Sequence, residues 1–281
     1  MFYPDRPEQM EADLSRLIED VRPKVSPRAI VVPHAGWMYS GSVAGAVYGR
    51  IALPRVALLL GPNHTGLGPR GSVMTRGAWE IPGGEIPIAR DLGQALLLAC
   101  PALREDELAH QREHALEVQL PFLRRLRPDL SFVPLTLGAT DLAFCRQVGD
   151  AISATVAAWP EPVLLLSSTD LNHYEPQAVS KRKDRLAIDE ILGLNPEGLH
   201  RTVAERGISM CGIAPTTALL YALRELRARE AVLVKYMTSG DVSGEMDRVV
   251  GYCGIIIGGG LDGPLRDLPL EELRGQNPRS N

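Results

Sequence analysis

Seven side chains in this sequence have the types and local settings in which chemistry is done: His34, His64, His114, Glu117, Asp170, His173 and Cys211. Two neutral imidazoles and a thiolate make a borderline-soft donor set, suited to iron, copper or zinc and poorly suited to magnesium or calcium. His34, His64 and Cys211 supply that set. Three protein ligands leave coordination positions open, as in catalytic rather than structural metal sites. Asp170 and His173 are then acid–base or orienting groups. His114 and Glu117 are three apart and share a face if their segment is helical, where they would orient a ligand or its water. A metal-free alternative makes Cys211 a nucleophile activated by a histidine, which leaves His34 and His64 without a role.

Short apolar strands must position these groups. His34 follows the β-branched run 28–33 and precedes a stretch of small residues, 40–53, that suits a closely packed helix. His64 follows the buried-strand pattern 55–61, in Pro62-Asn63-His64-Thr65-Gly66. A third apolar run, 162–166, leads into Ser167-Ser168-Thr169-Asp170-Leu171-Asn172-His173-Tyr174. In open α/β sheets ligands bind beyond the carboxyl ends of the strands, so three such turns predict one shared edge of one sheet. Cys211 stands ahead of Pro215, which suits the first turn of a helix running to residue 229. Just outside a helix N-terminus the dipole favours a thiolate.

The remaining segments read as scaffold. An amphipathic helix is predicted over 8–21, a hairpin or covering loop over 66–87, and helices over 91–100, 103–108, 113–123, 141–159, 180–192 and 196–205. Thr140 or Asp141 caps the helix at 141. Strands are predicted over 130–137, 231–236 and 249–257, and Gly258-Gly259-Gly260 has no helix behind it, so no dinucleotide fingerprint is present. His110 and His200, among charged neighbours, read as surface residues. Cys100, Cys145 and Cys253 read as small hydrophobes, with no disulfide framework. The expected fold is α/β, a single domain over 1–260 with a mostly parallel central sheet flanked by helices, followed by a loosely held tail over 261–281.

The chain has 281 residues, with 30 basic against 34 acidic side chains and a formal net charge of -4. No basic run interleaves with aromatics, which excludes a nucleic-acid footprint. No apolar stretch reaches about 18 residues and the first residues lack a signal-peptide pattern, so a cytoplasmic location and no membrane partner are expected. A small-molecule substrate or a peptide is the expected partner.

Long blocks of the sequence resemble the Memo family. They are Pro33-His34-Ala35-Gly36-Trp37-Met38-Tyr39-Ser40-Gly41, Gly61-Pro62-Asn63-His64, Glu113-His114-Ala115-Leu116-Glu117-Val118-Gln119-Leu120-Pro121-Phe122, Ser168-Thr169-Asp170-Leu171-Asn172-His173-Tyr174 and Cys211-Gly212, in order over nearly the whole chain. The chain looks like the branch labelled AmmeMemoRadiSam system protein B, which implies functional association with an AMMECR-type protein and a radical SAM protein. The resemblance implies a fold similar to class III extradiol dioxygenases, whose iron(II) is held by two histidines and a glutamate. In Memo proteins the set is two histidines and a cysteine, which fall on His34, His64 and Cys211; the additional aspartate and histidine fall on Asp170 and His173, with Thr169 as an extra residue before Asp170. A thiolate in place of a carboxylate is softer and itself oxidisable, so catechol cleavage does not simply carry over. The expectation is a non-haem iron(II)- or copper-dependent oxidative enzyme. The alternatives are a non-catalytic metal- or peptide-binding protein and a zinc-dependent hydrolase with Glu117 or His173 as base.

Overall fold

Uninterrupted apolar runs form strands covered on both faces, since a strand with one wet face would alternate. The computed structural model describes residues 2–258 together with Leu265. The first half contains helix α1 (Pro7–Leu17), strand β1 (Ala29–Val32), α2 (Trp37–Tyr48), β2 (Val56–Pro62), β3 (Gly71–Val73), β4 (Ala78–Ile81), β5 (Gly84–Pro87), α3 (Arg90–Ala99), β6 (Arg104–Glu105), α4 (Leu120–Leu126) and β7 (Ser131–Leu137). The second contains α5 (Leu142–Ala158), β8 (Val163–Ser168), β9 (His173–Glu175), α6 (Gln177–Leu192), α7 (Pro196–Glu205), α8 (Ile213–Glu225), β10 (Glu230–Thr238), α9 (Gly240–Ser243) and β11 (Val249–Gly258).

The main sheet has the order β10-β11-β1-β8-β2-β7-β3-β6, with β9 added to β11. Its central strands β1, β8, β2 and β7 run parallel. Towards the margins β11 is antiparallel to β1 and β3 is antiparallel to β7. The sheet is therefore mostly parallel where it is buried and mixed where it ends. Helices cover both faces: residues of α3, α5, α7 and α8 join one apolar cluster, and residues of α1, α2 and α4 join the other. Because β1, β8 and β2 are consecutive, their carboxyl ends deliver His34, Asp170 and His64 to one edge, as the sequence predicts.

The small residues of α2 admit a close neighbour. A Cβ on Gly45 would stand 2.0 Å from the Leu17 carbonyl oxygen, and one on Gly49 would stand 1.8 Å from that of Glu19. The backbone after α1 lies directly on α2 at these two glycines. Gly45→Ala is accordingly expected to destabilise the fold by about 2 kcal/mol, despite alanine's better helix propensity, because backbone has to move. Urea unfolding checks this; a midpoint equal to that of the parent would show that the segment after α1 yields without cost.

Three expectations need correction. No helix forms over 103–108: Arg104–Glu105 pairs with β3 as a short parallel strand. Residues 113–123 are not one helix; turns lead to a 3-10 turn at Glu117–Gln119, and α4 starts at Leu120 with Pro121 in its first turn. His110 is not on the surface but 7% exposed. Cys100, Cys145 and Cys253 are buried and unpaired, as expected. Among the described residues no helix is long and apolar enough to cross a membrane. The tail expected from residue 261 falls outside the described residues, apart from Leu265, which is buried and donates its N–H to Glu230 Oε2.

Candidate metal centre

Three imidazoles meet beyond the sheet edge. The ligand nitrogens of His34, His64 and His114 all lie within 4.8 Å of one another. The His64 and His114 rings stack at 5.0 Å, and His34 meets them edge-on at 5.3 and 5.5 Å. Cys211 is outside that trio but touches it, with Sγ 3.3 Å from His34 Nε2. The structure thus groups His34 and His64 with His114, which reaches the site from a turn and not from a helix face, and sets Cys211 against His34 alone among the three.

Hydrogen bonds fix how the His34 and His64 rings are presented. Ser168 Oγ donates to the Ala115 carbonyl at 2.6 Å, so its lone pairs accept from Gln119 Nε2 at 3.0 Å and from His34 Nδ1 at 2.9 Å. His34 therefore carries its proton on Nδ1, and its Nε2 lone pair faces the Cys211 thiol. The Gln119 amide is held in turn: its Nε2 also donates to the Pro33 carbonyl at 2.8 Å, and its Oε1 accepts the Tyr48 hydroxyl at 3.0 Å. Glu113, 3% exposed, accepts the ring Nδ1–H of His64 at 2.9 Å and the backbone N–H groups of His64 at 2.6 Å and Ala115 at 3.0 Å. Burial works against the Glu113 carboxylate, yet the bonds from His64 and Ala115 outweigh it and hold its pKa at about 2. His64 is thereby left with Nε2 as its free nitrogen and with a raised pKa.

Electrostatics keep the centre neutral at its inner end. Burial, with the neighbouring His64 and His114, holds His34 at about 4 against the pull of Asp170. Burial also lowers His114. Cys211 departs from its expected thiolate character: it does stand before α8, but burial first and Asp170 second push its thiol well up, more than the Asp170 and Gly212 amides and the Thr169 side chain pull it down. Asp170, 5% exposed, accepts the His34 N–H on Oδ1 at 2.9 Å and donates its own N–H to Cys211 Sγ at 3.2 Å. Thr169 locks that turn by accepting the Gly212 N–H at 3.0 Å and donating to the Asp170 carbonyl at 2.8 Å.

His173 begins β9 and is held by Ser209, whose carbonyl takes the Nδ1–H at 2.9 Å, leaving the lone pair on Nε2. Its turn is anchored through Asn172, whose N–H donates to Asp184 Oδ1 at 2.8 Å. Asp184 is fully buried and also accepts the Tyr236 hydroxyl at 2.7 Å. Burial pushes Asp184 up to about 6, more than those two bonds restrain it. A native pKa above the unfolded value means that the folded state binds the proton more tightly. Stability from this group is then greatest below about pH 4 and falls as pH rises to about 6. Asp184→Asn keeps an acceptor and removes the titration, so the parent should lose on the order of 2 kcal/mol relative to this variant between pH 4 and pH 7. Chemical unfolding at both pH values reads the difference; a constant gap would contradict it.

Glu117 does not enter the centre. Its Oε1 accepts the Tyr3 hydroxyl at 2.7 Å. The segment before α1 instead lies over the site, with the Phe2 ring stacked on His114 at 4.0 Å and the Phe2 carbonyl accepting the Trp37 N–H at 2.8 Å. The sequence reading passes over Phe2, Tyr3, Tyr48, Gln119 and Ser168. Only the closeness of Gln119 and Ser168 to candidate residues hinted at a role.

As a donor set, neutral imidazoles with an adjacent thiol fit a borderline-soft ion. The fit is supported by the oriented rings: Glu113 takes the second ring nitrogen of His64, as a carboxylate commonly does behind a ligating histidine, and Ser168 takes that of His34.

A family model described as "Memo-like protein" matches residues 1–256. A MEMO1 family protein of Methanopyrus kandleri is 41% identical over 231 residues, covering 81% of this chain and 82% of its own. A MEMO1 family protein of Aquifex aeolicus is 37% identical over 257 residues, covering 91% of this chain and 95% of its own. Among solved structures, an uncharacterized protein from Escherichia coli K12 superposes with a TM-score of 0.52 at 14% identity, over 81% of this chain and 98% of that one, a likeness of fold alone.

Proposed function

The chain belongs to the Memo-like family, and from that premise we propose that it is a metal-dependent oxidative protein whose ion, iron(II) or copper, is held by His34, His64 and Cys211. The observation that carries this reading is the meeting of the three imidazoles with the Cys211 thiol 3.3 Å from His34 Nε2. A bound redox ion would supply one-electron chemistry and Lewis acidity at the sheet edge. The protein's own groups do the rest. Glu113 and Ser168 orient the two histidines, Asp170 fixes the His34 turn, and His173 offers the Nε2 lone pair for moving a proton. His114 stands beside the ligands and bounds the space where a substrate or its water would sit.

His114 and Cys211 are rival claimants for the third ligand, and proton counting separates them. His34 is a neutral imidazole near neutral pH, whereas Cys211 is held as a thiol, so ligation by sulfur should release about one proton per ion from weakly buffered protein at pH 8. Because His64 has a raised pKa and can add to the release, the difference is the readout: Cys211→Ala should release about one proton fewer per ion than the parent. Equal release from the two would place the ion on the three histidines.

Metal content of protein purified without oxygen, for the parent, His64→Ala and Cys211→Ala, tests the reading itself. Near-stoichiometric iron or copper lost in both variants is the expected result, and it would be followed by a screen for dioxygen consumption. Zinc in their place would favour the hydrolase. No metal above background would leave a binding protein as the better account.

A further inference from the structure

Among the candidate side chains of the sequence Glu117 has no part in the reading above, and its bond to Tyr3 points to one. The three imidazoles of the centre are not held alike. The ring of His34 is fixed by Ser168 and that of His64 by Glu113, each at 2.9 Å. Among the described residues the His114 ring forms no hydrogen bond: Glu113 Oε1 stands 3.6 Å from its Nδ1, past hydrogen-bond reach. What holds His114 is stacking. Its ring lies on that of Phe2 at 4.0 Å and 9°, and on that of His64 at 5.0 Å and 15°. Phe2 is the nearer and the more nearly parallel of the two.

Phe2 is placed in turn by its neighbours. Its carbonyl accepts the Trp37 N–H at 2.8 Å, and the Tyr3 ring stacks on that of Trp37 at 5.1 Å. The Tyr3 hydroxyl reaches Glu117 Oε1 at 2.7 Å, and Glu117 opens the 3-10 turn that follows His114. Trp37 is buried, and its indole N–H reaches the Val118 carbonyl at 3.4 Å, so this anchor joins α2 to the same turn. The contacts therefore close on themselves, from Glu117 through Tyr3 to Phe2 and back onto His114. Phe2 stays 40% exposed, so its ring covers His114 rather than filling the core. Pro4, Asp5 and Arg6, which join it to α1, are exposed or half-buried, and a segment held by so few contacts is of the kind that opens locally.

We propose that Phe2 and Tyr3 form a clasp on the centre: Glu117 is a positioning residue that holds Tyr3, Tyr3 keeps Phe2 in place, and Phe2 holds the His114 ring in the site and closes the space above it. Opening the clasp frees His114 to turn and uncovers the place of the ion. The positioning of His114 stands on the geometry alone, whereas retention of an ion by the clasp rests on the metal reading above.

NMR of the chelator-treated full-length protein, labelled with carbon-13 histidine, tests the positioning. The chain has 6 histidines, and His114→Gln identifies the ring signal to follow. A proton held over the face of an aromatic ring resonates upfield, so the His114 signal should move downfield in Phe2→Leu and stay near its place in Phe2→Tyr. Tyr3→Phe removes one oxygen, bound to Glu117 and not to His114, and should move the same signal the same way. Glu117→Ala should do likewise, while Glu117→Gln, which keeps an acceptor, should resemble the parent. In the Phe2→Leu background Tyr3→Phe should add nothing, the mark of a residue that acts through another. A His114 signal unmoved by Tyr3→Phe, or moved equally with and without Phe2, would overturn the positioning. Retention is read on protein loaded with iron(II) without oxygen and then challenged with a chromophoric chelator. Release should be about tenfold faster than from the parent in Phe2→Leu, and faster also in Tyr3→Phe. Equal release from all three would overturn the closure. Protein that takes up no iron(II) would instead sink the metal reading, with the His114 signal still deciding whether the clasp positions that ring.

Discussion

Replacing Gln119 with leucine is expected to lower the unfolding free energy by about 3–5 kcal/mol, because it strands polar groups that have no water to turn to. Gln119 is fully buried and serves the Tyr48 hydroxyl, the Pro33 carbonyl and Ser168 Oγ at once. Ser168 keeps its other partners, whereas Tyr48 and Pro33 are left with a donor and an acceptor unmet. Denaturant unfolding of Gln119→Leu, Tyr48→Phe and the double variant reads this directly. Tyr48→Phe in the Gln119→Leu background should recover part of the loss, since the orphaned hydroxyl is then gone. A loss under about 1 kcal/mol for Gln119→Leu would mean that the network is not maintained in solution.

Glu113→Ala is expected to weaken metal retention about a hundredfold and Glu113→Gln about tenfold, the usual range for an outer partner of a ligating histidine. Glu113 fixes both the His64 ring and the His64 backbone, and its pKa of about 2 keeps it ionised across any working pH. Glutamine keeps an acceptor for one of these bonds and loses the charge; alanine frees the ring to turn. Competition against a chromophoric chelator measures the affinities, with unfolding midpoints as the control on folding. Affinity within about threefold of the parent in the alanine variant would show that His64 is held by something else, or that it is not a ligand.

The parts of the fold legible from sequence were those with an uninterrupted apolar run. β1, β2, β7 and β8 lie in the buried middle of the sheet, and the turns carrying His34, His64 and Asp170 follow from their ends. The segment around His114 was misread because a spacing of three fits a 3-10 turn and a plain turn as well as an α-helix. Pro121 was the available signal, since it suits the first turn of a helix and so places the start of α4 near Leu120. His110 shows another limit: Gln111 and Arg112 after it are exposed, and burial of the pair Ala109 and His110 in a turn has no periodicity to betray it. The partners that tune the site were out of reach for a simpler reason. Glu113 and His64 are 49 residues apart, and Ser168 and His34 are 134 apart, so only the folded chain pairs them. The thiol state of Cys211 was misjudged because a helix N-terminus was weighed without the burial that overrides it.

Ser168 also makes the inner wall of the centre an insulator. Its one proton is committed to the Ala115 carbonyl, a group that cannot pass it on, and its two lone pairs are filled by His34 and Gln119. A Grotthuss chain needs each member to receive a proton on one side and release one on the other, and this serine can do neither without breaking the arrangement. A proton shed by Cys211 can pass to His34 Nε2, which Asp170 Oδ2 also faces at 4.0 Å, or outward past the exposed His64, but Ser168 gives it no relay back through the sheet. Charge created at this edge can be discharged only through the mouth, which ties the tempo of protonation to whatever occupies or covers that opening.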